Sequence, residues 1–238
     1  MATTRRFFVE NIGQTAVLTG DEFSHAKNVL RLREGDEVVL LDGSGREYDA
    51  VINEAGKREM LCTVLSSRPC DKEPETRVKL LLGALKGDKT EFAVQKATEL
   101  GVSEIGVFSS RYCSAYMNEN KLERLAKVAR EAAKQCLRAS VPEVEYYSSL
   151  EGALASCAGY ENKLFACEFA EKSETDLRGL KGSCALVVGS EGGFAPEEFE
   201  RARAAGFAGI SLGRRILRAE TAAVAFTALT MFLLGELG

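Results

Sequence analysis

The sequence predicts an α/β fold whose parallel sheet is covered by helices, preceded by a small β domain. Three observations carry that prediction. From Val78 onward, short apolar runs alternate with helical stretches, the order that builds a parallel sheet with helices on both faces. Before about residue 68, apolar and polar residues alternate between glycine-rich turns, as in a meander of strands. Near the end, two strand–loop–helix units follow one another. The first is Leu186-Val187-Val188-Gly189-Ser190-Glu191-Gly192-Gly193-Phe194, and the second is Ser211-Leu212-Gly213-Arg214-Arg215-Ile216-Leu217-Arg218-Ala219-Glu220-Thr221. Two such loops in succession suggest one shared pocket, because ligands of open α/β sheets sit beyond the carboxyl ends of the strands.

A chain of 238 residues can bury a proper core, as one large domain or two small ones, and the change of pattern favours two. The expected division is a β domain at 1–68, a linker at 69–76 carrying Pro69 and Pro74, and an α/β domain at 77–238. In the first domain, residues 5–9 read as a strand, 21–30 as one short helix, and 37–41, 47–53 and 60–65 as the meander. Asp42-Gly43-Ser44-Gly45 and Glu54-Ala55-Gly56-Lys57 each place a glycine where a turn calls for positive φ. A sheet of this size closes best as a small barrel.

In the second domain, strands are expected at 78–85, 105–108, near Val144 and at 163–167, with helices at 90–100, 122–139 and 150–158. The helix behind the first glycine loop is well signalled. Pro196 suits a first turn, Glu197 and Glu198 complement the N-terminal dipole, and Gly206 supplies the stop. The last helix, 220–234, is apolar nearly all round, too short to span a bilayer and interrupted by Thr227 and Thr230. Such a helix must be buried, under the sheet or against a second subunit.

Composition narrows the class. With 45% hydrophobic and 28% charged residues the chain reads as an ordinary globular protein, and its amino end shows no signal-peptide pattern. Seven cysteines without a C-x-x-C pair argue against a disulfide framework and against a zinc site, so no metal and a reducing, cytoplasmic setting are expected. A net charge of −4 does not advertise a nucleic-acid binder, but acidic surface elsewhere can offset a local basic patch. Arg5, Arg6, Arg31 and Arg33 are suited to phosphate oxygens. His25, the only histidine, fits either stacking on an unpaired base or a hydrogen bond to a neighbouring loop.

Familiar readings of a glycine loop fail here. No G-x-G-x-x-G opens the domain, and no Lys-Ser/Thr follows the last glycine. A nucleophile elbow needs G-x-S-x-G and a later histidine, whereas Ser190 directly follows Gly189 and His25 lies far upstream.

The two loops do carry a resemblance. Residues 189–194 stand where the family in question reads GPEGGF, and 211–222 where it reads SLG-x-RILR-x-ETA. Residues 91–102, and 131–136 with Arg138 and Pro142, match as well, so the likeness runs through most of the chain. It resembles the SPOUT methyltransferases and, in detail, the RsmE family, which methylates N3 of a uridine in 16S ribosomal RNA. The resemblance implies a PUA-like, RNA-docking N-terminal barrel, a C-terminal trefoil knot and a homodimer acting on the small ribosomal subunit. It also implies S-adenosyl-L-methionine as cofactor, held by Cys167, Gly189, Ser190, Glu191, Gly192, Gly193, Leu212, Gly213, Ile216, Leu217 and Arg218. Lys86, Lys89, Arg111, Lys134 and Arg138 would hold the RNA backbone, the last two sharing one helical face. Two positions depart from the family: Ser190 replaces a proline, and Leu125 replaces a tryptophan.

Uracil N3 carries a proton that must leave before or during attack, and the resulting anion needs a cation or donors at the ring oxygens. Arg218 is the candidate for that cation, the alternative being a salt bridge to Glu220 or Glu191. Glu191 could accept the proton, hold Arg218 or cap the following helix, and the organising role is favoured. A methyltransferase for another RNA or a ribose oxygen, and a non-catalytic RNA-binding protein, are the alternatives.

Overall fold

The structure, a computed structural model, describes residues 5–167 and 174–238. It divides into two compact units, Met1–Glu73 with Ala133–Val141, and Pro74–Ala132 with Pro142–Gly238. The excursion at 133–141 was not foreseen from the sequence.

The first unit contains β1 (Arg6–Phe8), β2 (Thr15–Leu18), α1 (Gly20–Ser24), β3 (Glu37–Leu41), β4 (Arg46–Ala55) and β5 (Met60–Pro69), in the sheet order β1-β3-β4-β5-β2. β1 runs parallel to β3 and the other pairs are antiparallel. Phe7, Leu18, Leu40, Ile52 and Met60 are buried in one cluster, as the alternating pattern requires. Gly43 (φ 83°) and Gly45 (φ 80°) adopt the expected left-handed turn. Gly56 does not; a Cβ there would lie 3.0 Å from the Glu59 carbonyl oxygen, so close approach and not positive φ selects glycine.

The helix expected at 21–30 is broken in two. α1 passes into a π-helical turn, His25–Val29, closed by the Leu30 amide on the His25 carbonyl at 3.0 Å, and Arg31 (φ 55°) ends it. β2, only four residues long, escaped the sequence reading because so short an alternation is a weak signal.

The 133–141 excursion corrects three assignments. α3 (Glu119–Gln135) stops short of the expected 139, and Leu137 turns the chain with φ 69°. Arg138 therefore shares no helical face with Lys134. It is buried, with its guanidinium 3.2 Å from Glu73, while Lys134 lies 3.2 Å from Glu22. Arg6 is likewise buried, 2.6 Å from Glu47 and 3.1 Å from the Leu137 carbonyl. These cations hold the unit together and are not presented to a phosphate.

The second unit is a six-stranded, wholly parallel sheet in the order β11-β9-β10-β6-β7-β8. The strands are β6 (Val78–Gly83), β7 (Glu104–Phe108), β8 (Glu143–Tyr147), β9 (Asn162–Ala166), β10 (Cys184–Val188) and β11 (Ala208–Ile210). Every residue of β6 and β10 is buried, which is why β10 reads as a continuous apolar run and β6 as one broken only by Lys79. α2 (Lys89–Glu99), α4 (Leu150–Ala155), α5 (Pro196–Ala204) and α6 (Ala219–Leu233) complete the unit with most of α3. Strand order advances from β6 to β8, then reverses past β6 to β9, leaving a gap that β10 fills. Such reversals are where α/β sheets open a crevice.

α6 packs on α2, β10 and β6. The two threonines that interrupt its apolar sequence lie on the buried face, Thr227 and Thr230 being almost fully covered, while Leu229 and Phe232 are exposed. Among the described residues no helix is long and apolar enough to cross a membrane.

At the amino ends of β6 and β7 a charge cluster is sealed into the sheet. Lys79, only 2% exposed, lies 3.2 Å from Glu104, which also accepts from Tyr160 at 2.8 Å and pairs with Arg77. Burial pushes the Glu104 carboxyl up, but the bonds from Tyr160, Arg77 and Lys79 outweigh it and hold the group below its ordinary 4.5. The unfolded chain thus binds that proton more readily, so the stabilisation is complete above about pH 4.5 and is lost as pH falls through the lower folded value. Glu104→Gln is expected to cost about 3 kcal/mol in urea unfolding at neutral pH, the low end for stripping a buried ion of one partner, since Lys79 keeps Glu145 at 3.5 Å. The variant should also lose stability less steeply below pH 4.5; identical acid profiles for the two proteins would contradict the assignment.

Candidate active site

The carboxyl ends of β9, β10 and β11 open into a cleft of about 590 Å³. Its walls come from both glycine loops: Gly189, Ser190, Glu191 and Gly193 after β10, and the run from Ser211 to Arg218 after β11. Ala166 and Cys167 at the end of β9, and Lys89 at the start of α2, close the rest. Cys167, Leu212, Gly213, Ile216, Leu217 and Arg218, which the resemblance assigns to the cofactor, all line this cleft.

The glycines do different work in the two loops. Gly213 has φ 102°, and a Cβ there would meet nothing within 4 Å, so its backbone faces open space. In the first loop the room is taken by the protein itself. A Cβ on Gly189 would meet the Phe194 ring at 2.9 Å, and one on Gly192 would meet the Tyr112 Cβ at 2.6 Å and carbonyl oxygen at 2.8 Å. Gly192 therefore packs on Tyr112 where a side chain would sit, and it is not among the residues that line the cleft. The turn is closed by the Gly193 amide donating to the Ser190 carbonyl at 3.0 Å, with Gly193 at φ 66°. Ser190, standing where the family has proline, is buried, and its hydroxyl has no hydrogen-bond partner among the described residues.

α5 begins as expected. Pro196 sits in its first turn, and the Glu198 carboxylate accepts from the Ala195 amide at 2.8 Å and from the Arg111 amide at 2.9 Å, tying the 109–118 segment to the helix start.

Glu191 ties the first glycine loop to the loop after β6. Its Oε1 accepts from the Lys86 amide at 3.1 Å and lies 3.2 Å from Lys89 Nζ, which in turn stands 3.9 Å from Glu220. Burial pushes its carboxyl up, yet its own amide, the Lys86 amide and Lys89 outweigh that and hold it below the ordinary value. An already satisfied, acid-shifted carboxylate is a poor proton acceptor near neutral pH. Its cationic partner is Lys89 and not Arg218, and Lys86 contributes its amide while its side chain is exposed.

Arg218 is the N-cap residue of α6, exposed and lining the cleft, with no carboxylate within ion-pair distance among the described residues. The alternative role, a bridge to Glu220 or Glu191, is absent among them. Arg214 and Arg215, exposed on the same loop, also line the cleft and were not singled out from the sequence, although an adjacent arginine pair inside a ligand loop was a readable signal. Arg111 is exposed, its guanidinium 3.4 Å from Glu197.

In the first unit, Arg31 and Arg33 are exposed and border a shallow groove with Lys27. Arg5 is half-buried, 3.1 Å from Asp36. His25 is half-buried with its ring edge-on to Phe7, 6.0 Å between centroids, a contact that neither reading of the sequence named. Among the described residues no group of His, Cys, Asp and Glu is arranged to hold a metal ion.

A parallel sheet with a cleft built from two consecutive loops and edged by arginines defines an α/β protein with a site for a small molecule. Comparison with known proteins names the class. Residues 72–231 match the RNA methyltransferase domain family, and residues 18–65 match the RNA methyltransferase PUA domain. The ribosomal RNA small subunit methyltransferase E of Bacillus subtilis is 32% identical over 236 residues, covering 92% of each chain. That of Mycobacterium bovis is 34% identical over 231 residues, covering 91% of this chain and 87% of its own. The crystal structure of the Neisseria gonorrhoeae enzyme of that name, bound to S-adenosyl methionine, superposes with a TM-score of 0.89 at 30% identity, covering 97% of this chain and 98% of that one. This chain belongs to the ribosomal RNA small subunit methyltransferase E family.

The packing of Gly192 on Tyr112 is directly testable. Gly192→Ala should lower stability by about 1–3 kcal/mol, the usual cost of forcing a methyl group into a filled space against backbone. An unchanged thermal midpoint would mean that the loop has slack the structure does not show.

Proposed function

We propose that this protein transfers the methyl group of S-adenosyl-L-methionine to N3 of a uridine in the 16S RNA of the small ribosomal subunit. The observation that carries the reading is the single cleft shared by the two glycine loops, in a chain whose relatives are small-subunit ribosomal RNA methyltransferases. The Neisseria gonorrhoeae relative, bound to S-adenosyl methionine, supports the choice of cofactor.

The residues present fit such a ligand. The cleft lies in the range of small-molecule sites, roughly 300–1,000 Å³, and its walls combine Ile210, Leu212, Ile216 and Leu217 with the open backbone at Gly213. Cys167, Gly189, Ser190, Glu191, Gly193, Leu212, Gly213, Ile216, Leu217 and Arg218 would hold it. When bound, the cofactor supplies an electrophilic methyl group on a sulfonium. The protein's part is position and charge. Main-chain groups of both loops fix the ligand, and the apolar walls limit water.

Arg218 acts on the acceptor. Its guanidinium has no anionic partner among the described residues, and it stands at the amino end of α6, where the helix dipole adds positive potential. Both favour the anion that uracil becomes when N3 loses its proton, and its charge lies on the ring oxygens that a planar fork can reach. Lys89 and Glu191 keep the first loop in register and leave the proton to another acceptor. Arg31 and Arg33 in the first unit, with Lys86 and Arg111 in the second, serve the RNA backbone. A second copy of the chain covers the apolar outer face of α6 and α2, where Leu229, Phe232 and Phe92 are exposed, and the C-terminal segment threads as a knot. The enzyme works in the cytoplasm, on ribosomal subunits.

Deleting an interaction made mainly in the transition state lowers turnover far more than binding. Arg218→Ala should bind S-adenosyl-L-methionine and small subunits within several-fold of wild type. Its single-turnover methylation should nevertheless fall by about a hundredfold or more, the range for losing one charge-stabilising donor. Arg218→Lys should recover little. A near-normal chemical step in Arg218→Ala would refute the role.

A further inference from the structure

The segment between β7 and α3, residues 109–118, holds two tyrosines that the proposed reaction leaves without a task. Its backbone is fixed at several points. The Arg111 amide donates to Glu198 at 2.9 Å, the Cys113 amide to the Ser110 carbonyl at 3.0 Å, and Lys121 Nζ to the Tyr116 carbonyl at 2.7 Å. Cys113 Sγ lies 3.1 Å from the Ala84 carbonyl, and Met117 is buried. Yet Tyr112 is 47% and Tyr116 75% exposed, and among the described residues neither hydroxyl makes a hydrogen bond. The Arg111 guanidinium lies 5.7 Å from the Tyr112 ring centroid. A single exposed aromatic is ordinary, but two on one anchored segment beside an arginine form a preorganised, amphipathic surface.

Its place gives it a use. The Tyr112 backbone packs on Gly192, whose neighbours Glu191 and Gly193 line the cleft. A base can be modified at a ring nitrogen only after it leaves its stack, and the bases on either side then lose a stacking partner. Aromatic rings and arginine planes replace that partner in single-stranded RNA recognition. Resting on the methyltransferase reading above, we propose that Tyr112 and Tyr116, beside the backbone contact of Arg111, stack on the unpaired bases flanking the target uridine and so hold the RNA open at the cleft.

The test uses the full chain and small ribosomal subunits from a strain lacking this methylation. Alanine keeps the Cβ that packs on Gly192, so the double variant Tyr112→Ala/Tyr116→Ala should fold and bind S-adenosyl-L-methionine as wild type does. Its KM for subunits should rise about tenfold or more, within the range for losing base–aromatic stacks, while kcat changes less than about twofold. Tyr112→Trp/Tyr116→Trp should keep a near-wild-type KM, and Tyr112→Leu/Tyr116→Leu should not. An unchanged KM in the alanine variant, a loss confined to kcat, or leucine restoring as well as tryptophan would each overturn the proposal. Subunit binding measured without cofactor separates the two readings. If the wild type transfers no methyl group, the methyltransferase reading fails, and the stacking surface stands or falls on whether the alanine variant binds subunits about tenfold more weakly.

Discussion

The structure of the site depends on one close approach of backbone to backbone. At the end of β6, a Cβ on Gly83 would lie 2.5 Å from the Ser190 amide nitrogen and 2.9 Å from the Gly189 carbonyl carbon. Only glycine lets β10 hand its loop across β6 at that distance. The Glu191 carboxylate then reaches the Lys86 amide and Lys89, so the loop after β6 and the loop after β10 are fastened together twice, by contact and by charge. Gly192 on Tyr112 adds a third attachment from the end of β7. With the first loop held on three sides, the second is free to carry the open wall at Gly213 and the arginines. Rigidity on one side and access on the other are what a site needs if it must fix a small molecule and admit a large one.

Charge is distributed by the same logic. The chain is acidic overall, at −4, yet it is proposed to meet RNA. Carboxylates in the first unit neutralise the buried Arg6 and Arg138 and the half-buried Lys134 at Glu47, Glu73 and Glu22. In the second, Glu104 does this for the buried Lys79 and also pairs with the exposed Arg77. The exposed cations include Arg31 and Arg33 on one unit and Arg214, Arg215 and Arg218 around the cleft of the other. Net charge therefore says little about where phosphate would be met.

The alternation of strand and helix after Val78 was legible because buried parallel strands must be apolar on both faces, as β10 is and as β6 is but for Lys79. The two loops were legible because glycines and polar residues between an apolar run and a helix start mark the end of the sheet at which ligands are received. What each glycine does was not legible, since that depends on which neighbour fills the missing Cβ. For Gly192 it is Tyr112, which the sequence alone could not show. Arg6 and Arg138 were misplaced for a related reason. A sequence shows a cation but not its partner, and their partners, Glu47 and Glu73, lie 41 and 65 positions away. The helix expected to run to residue 139 ended at Gln135 because Leu137 adopts a left-handed conformation that nothing local demands.

The central claim is that the cleft of the two loops delivers a methyl group to a uracil nitrogen and not to a ribose oxygen or to another base. Small subunits from a strain lacking the protein, treated with purified protein and isotope-labelled S-adenosyl-L-methionine, decide it when their 16S RNA is digested and its nucleosides are resolved by mass spectrometry. The account predicts that the label appears in N3-methyluridine alone, at one position in the RNA. Label in a 2′-O-methyl nucleoside or in another base, or no label in RNA from a protein that binds the cofactor, would contradict it.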